Sequence, residues 1–84
     1  MSEVERQLRE LKSAGDVRRF LQSLCEPWGG IRTLDLIPDA DGNLVCFVAL
    51  RVPENRPRFY ALINGTSRAS DTFVFTIPAP GAGG

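Results

Sequence analysis

Asp39-Ala-Asp-Gly-Asn-Leu44-Val-Cys-Phe-Val-Ala-Leu-Arg-Val52 reads as a tight turn running into a strand, and this stretch decides the fold. At period two, Leu44, Cys46, Val48, Leu50 and Val52 share one face, and Val45, Phe47, Ala49 and Arg51 share the other. The first set is what a core requires. The second puts a phenylalanine and an arginine on a face turned toward solvent, which makes it a candidate binding surface.

Immediately upstream, residues 31–38 alternate in the same way, with Arg32, Leu34 and Leu36 on one side and Ile31, Thr33, Asp35 and Ile37 on the other. Asp41-Gly42 supplies the backbone angles of a tight hairpin joining the two strands. Before them, Val17, Phe20, Leu21 and Leu24 follow the i, i+3, i+4, i+7 spacing of an amphipathic helix, and Cys25 widens its stripe. Asp16 is read as its N-cap, and Pro27 stops it, because proline lacks a donor and restricts Glu26 before it. Trp28-Gly29-Gly30 then turns the chain, with Trp28 as an anchor closing the core. Residues 2–14 form a thinner helix with a stripe of Val4, Leu8 and Leu11, a capping box of Ser2 with Glu5, and Gly15 as a left-handed terminator.

Downstream, Pro53 to Arg58 breaks the alternation, and Phe59-Tyr-Ala-Leu-Ile63 fits a short helix ended by Asn64-Gly65 or a strand, which periodicity does not decide. Residues 72–77 return to a strand with Phe73, Phe75 and Ile77 inward and Thr72, Val74 and Thr76 outward. The expected organisation is one domain over residues 1–77 and a flexible Pro/Gly tail over 78–84. Its architecture is α+β, a small antiparallel sheet with helices packed on one face. Leu34, Leu36, Cys46, Val48, Leu50, Phe73 and Phe75 form the sheet side of the core, and Phe20, Leu21 and Leu24 the helix side.

Composition narrows the function classes. The 84 residues carry ten basic and ten acidic side chains, so the chain lacks the basic excess of a non-specific nucleic-acid binder. There is no histidine, which removes the commonest general base and metal ligand. Cys25 and Cys46 both fall on apolar faces and are read as reduced core thiols. Met1 leads into a charged, periodic segment rather than an apolar signal, and a cytoplasmic location with no membrane contact is expected.

Asp39-Ala-Asp-Gly-Asn43 brushes the calcium-loop pattern, but its glycine falls at the fourth position and no glutamate closes it, so it is a turn. Asn64-Gly65-Thr66 is likewise turn chemistry. No catalytic pair stands out, and no enzyme activity, cofactor or metal is expected. Arg51, Arg56 and Arg58 lie close in sequence to Phe59 and Tyr60, the chemistry that meets phosphates and stacks bases.

Three local details resemble the RNA-recognition-motif type of ferredoxin-like fold. Asp16-Val-Arg-Arg-Phe-Leu-Gln-Ser-Leu24 looks like that family's first helix, Phe47-Val48 like the centre of its strand octamer, and Ala61-Leu-Ile-Asn-Gly65 like the end of its second helix. The resemblance spans residues 16–77 and implies an antiparallel sheet with helices on one face and aromatics that stack on RNA. On this alignment Asn43, Leu44 and Val45 replace the octamer's basic residue, glycine and first aromatic, leaving Phe47 as its stacking ring. The family's opening strand should precede residue 16, so either Arg6 to Leu11 is that strand or the fold has three strands with the N-terminal helix in its place.

Two functional expectations follow. The first is a binding module whose open sheet face (Thr33, Val45, Phe47, Ala49, Arg51 and Val74) contacts a protein partner or a second copy. The alternative is single-stranded RNA or DNA binding, with Phe47 stacking a base and Arg51, Arg56 and Arg58 meeting phosphates.

Overall fold

The computed structural model describes residues 3–63, 67–69 and 72–78. In chain order the elements are α1 (Glu3–Glu10), α2 (Ala14–Cys25), β1 (Ile31–Pro38), β2 (Asn43–Leu50), α3 (Arg56–Leu62), β3 (Ser67–Ala69) and β4 (Thr72–Pro78). Short 3₁₀ turns at Glu26–Trp28 and Pro53–Asn55 lead out of α2 and into α3. The expected α+β architecture is present, with three long antiparallel strands and a short fourth in one open sheet.

The hairpin forms as its alternation requires. Asp39 N–H donates to Asn43 O at 2.9 Å, and the Asp39 carboxylate accepts from the N–H groups of Asp41 and Asn43, both at 2.9 Å. Gly42 closes the three-residue loop at φ 78°, a left-handed conformation that glycine adopts without a Cβ clash. The register then pairs Ile37 with Val45, Asp35 with Phe47 and Thr33 with Ala49. Between Ile31 and Thr33 the register shifts, so Ile31 packs against the core instead of sharing the solvent face with Thr33.

The second helix starts earlier than Asp16. Ser13 is the cap, its Oγ accepting from Asp16 N–H at 3.1 Å, and Gly15 lies within the first turn rather than terminating the preceding helix. The first helix accordingly ends at Glu10 instead of continuing to residue 14. Ser2 of the expected capping box, Asn64-Gly65-Thr66 and all of the tail but Pro78 lie outside the described residues. Pro78 itself ends β4, opposite Asn43. Residues 59–63, which periodicity left open, form most of α3 and its C-cap, and the helix begins at Arg56 within the expected break: Phe59 and Ile63 are buried one turn apart, whereas Ala61 is exposed.

The core lies between the helices and one sheet face. Leu44, Cys46, Val48 and Leu50 of β2 and Phe73, Phe75 and Ile77 of β4 meet Leu8, Val17, Leu21, Cys25, Phe59 and Ile63. The Phe59 ring stacks on Phe73 at 4.7 Å between centroids and lies 6.0 Å from Phe75. Leu34, Leu36 and Phe20, expected at the centre, are half-buried at its margin, as is Trp28. Asn55 Nδ2 donates to the Trp28 carbonyl at 2.7 Å and ties the two 3₁₀ turns together.

The sheet order is β1-β2-β4-β3. This is compatible with a ferredoxin-like fold in a permuted form. The helix–strand–strand–helix–strand–strand order becomes the family's strand–helix–strand–strand–helix–strand order if β4 is moved to the front. Residues 6–10 are helical in α1, which packs against α3 and β4.

Candidate functional site

The two faces of the sheet differ in what covers them. Helices cover the face built from the even-numbered residues of β1 and β2 and the odd-numbered residues of β4. The opposite face carries, in successive rows across β1, β2 and β4, Ile37–Val45–Thr76 and Asp35–Phe47–Val74, followed by the Thr33–Ala49 pair. Ile37 is 51% exposed, and Val45, Phe47 and Val74 are each half-buried, so an apolar patch runs over three strands. Asp35 is the charged residue of this face among the described strands β1, β2 and β4, and it sits directly opposite Phe47.

Of the residues expected on this surface, Thr33, Val45, Phe47 and Val74 are brought together on it. Ala49 has the right face but is fully buried. It offers a partner nothing to touch. Ile37 and Asp35 belong to the surface and were identifiable from their phase in the β1 alternation.

Arg51 does not join it. Strand β2 ends at Leu50, and Arg51 turns back onto β1, its N–H donating to Gly30 O at 3.1 Å and its Nε to Ile31 O at 3.3 Å. It lines a groove between α2 and β1 together with Arg18, Arg19 and Arg32. Arg56 lies elsewhere, beside Pro57, Tyr60 and Phe73 in a small depression on the helical side, and Arg58 is exposed on α3. The sequence cluster of Arg51, Arg56 and Arg58 is therefore divided between separate surfaces, because the 3₁₀ turn and α3 carry the last two away from the end of β2.

Both thiols are shut in the core, where burial pushes Cys25 up to about 11 and Cys46 up to about 12, so neither is ionised near neutral pH. Exposed charges pair locally: Arg19 meets Asp16 at 2.5 Å and Arg6 meets Glu3 at 2.6 Å, and these arginines hold both carboxyls below their usual range. Among the described residues, no group of three or more His, Cys, Asp or Glu side chains is placed to hold a metal ion, and no helix is long and apolar enough to cross a membrane. No protein-family model, curated protein or solved structure matches the chain.

Proposed function

We propose that this chain is a non-catalytic binding module that presents the open face of its sheet to a protein surface, in the first instance a second copy of itself. The observation that carries the reading is the apolar patch of Ile37, Val45, Phe47 and Val74, which no helix among the described residues covers. A nearly uncharged apolar surface can face a copy of itself across a twofold axis, and a net charge of zero adds no long-range repulsion between copies. Three strands of about seven residues present an area of roughly 25 by 15 Å, smaller than the roughly 800 Å² per partner of a standard stable interface. Association through this face alone is accordingly weak and concentration-dependent.

The nucleic-acid alternative has less support. Phe47 would need phosphate-binding arginines beside it, yet its cross-strand neighbour is the acidic Asp35, and Arg51 and Arg56 sit against the helical side. The RNA-recognition-motif resemblance thus bears on architecture more than on ligand.

Sedimentation and amide spectra over a range of protein concentrations test the proposal, with Phe47→Asp as the interface variant and circular dichroism as the check on folding. Concentration-dependent association, with shifts at Val45, Phe47 and Val74 that vanish in folded Phe47→Asp, is the expected result. A monomer at every concentration, or association unaffected by the substitution, refutes the self-association reading.

A further inference from the structure

The groove between α2 and the outer edge of β1 uses residues that the open face does not. Arg18 and Arg19 come from α2, Arg32 from β1 and Arg51 from the segment after β2, so four of the chain's ten basic side chains converge from three elements. They line a cavity of about 550 Å³, in which Glu26 is the one carboxylate. Counting Glu26 and Asp16, which pairs with Arg19, the four arginines still leave a positive excess at this groove in a chain of zero net charge. Two of the guanidinium groups are anchored on backbone carbonyls. Arg18 Nη1 donates to Leu34 O at 3.2 Å, and Arg51 Nε donates to Ile31 O at 3.3 Å. Each of those bonds uses one of five N–H donors and restrains the planar fork that carries the rest. Pre-orientation of this kind lowers the entropy lost on binding an anion.

We propose that this groove binds a compact polyanion carrying two or more phosphate groups. Several guanidinium forks suit oxygen-rich, multiply charged ligands, because each makes paired charge-assisted bonds to neighbouring oxygens. The volume fits a small molecule. Among the described residues the lining contains no aromatic side chain, so it offers no stacking platform for a nucleobase and suits the phosphates themselves. The groove lies on the helical side of the β1 edge, since Arg18, Arg19, Gln22 and Ser23 of α2 line it opposite Leu34. Its occupancy is therefore independent of self-association through the open face.

The test is titration of the ¹⁵N-labelled protein with inorganic pyrophosphate at constant ionic strength, following the arginine Nε–Hε and backbone signals, beside parallel titrations with citrate and a single-stranded oligonucleotide. The expected result is a saturable response at Arg18, Arg32 and Arg51 and a rise in melting temperature with pyrophosphate. Arg32→Gln and Arg51→Gln should each weaken binding about tenfold or more, as loss of a charge-assisted bond predicts, while Arg9→Gln on α1 leaves it unchanged. Non-saturable shifts, equal binding of citrate, a response to the oligonucleotide without one to pyrophosphate, or insensitivity to both substitutions would overturn the proposal.

Discussion

Truncating Phe59 and Phe47 separately to alanine measures which side of the sheet is the core. Phe59 is fully buried, stacked at 4.7 Å on Phe73 and 6.0 Å from Phe75. Removing so enclosed a ring costs about 3–5 kcal/mol, the transfer of the ring plus the cavity left behind. A domain of this size holds roughly 4–13 kcal/mol in total, at 0.05–0.15 kcal/mol per residue. Phe59→Ala thus removes a large part of the stability and leaves a partly unfolded population if the starting value lies at the low end. Phe47, half-buried on the uncovered face, loses only about 1 kcal/mol, because much of its surface already contacts water. Urea denaturation followed by circular dichroism reads both, and the two midpoints should differ by at least about 0.7 M given slopes of about 1–3 kcal/mol/M. If Phe59→Ala does not fold, Phe59→Leu keeps the comparison measurable, with a loss of about 1–3 kcal/mol that should still exceed that of Phe47→Ala. Equal losses, or a larger loss at Phe47, would mean that the helices do not cover the face assigned to them, and both proposed surfaces would fall with that assignment.

Further outcomes follow from other elements. Ala61→Glu should change stability by no more than about 0.5 kcal/mol by the same urea assay, because Ala61 is on the wet side of α3; a strand over residues 59–63 would instead turn it inward beside Phe59 and Ile63, and the loss would be several-fold larger. A Cβ on Gly29, at φ 98°, would lie 2.5 Å from Val52 Cγ2, whereas one on Gly42, at φ 78°, meets nothing within 4 Å. Thermal melts should show Gly29→Ala costing more than Gly42→Ala, whose loss is limited to about 1–2 kcal/mol of left-handed backbone strain. Burial raises both thiols above their ordinary 9.0, to about 11 and about 12, so the unfolded chain releases these protons first on raising the pH. This contribution to stability is fully present below pH 9 and is lost as pH rises from there through about 11 and 12, as urea midpoints across that range will record. At pH 8 alkylation of Cys25 and Cys46 should proceed only as fast as the protein opens, and rapid labelling of the native state would contradict their burial.

Much of the framework is legible in the chain because its signals are local. Alternation over residues 31–38 and 44–50, the Asp-Gly turn between them and the apolar stripe from Val17 to Cys25 identify three neighbouring elements, since strand phase and helix period depend on nearby residues. The same phase placed Thr33, Val45, Phe47 and Val74 on one surface. Boundaries were less legible: Ser13 and Asp16 are both competent caps three residues apart, and the hydrogen bond from Asp16 N–H to Ser13 Oγ selects the first. Residues 59–63 carry helix and strand preferences together, and exposure of Ala61 between the buried Phe59 and Ile63 marks the helical choice.

Sequence alone determined an α+β domain, a central hairpin and the two-sidedness of its strands, because turn chemistry and side-chain periodicity act over a few residues. Tertiary structure alone decided that β4 lies beside β2, that Ala49 is covered, and that Arg51 leaves Arg56 and Arg58 to join Arg18, Arg19 and Arg32. The one trace of that groove in the sequence is Arg32, a charge in phase with Leu34 and Leu36. Strand order and the convergence of side chains 33 positions apart are set by long-range packing, and the free energy that selects them comes from burying the whole core together rather than from any segment taken singly.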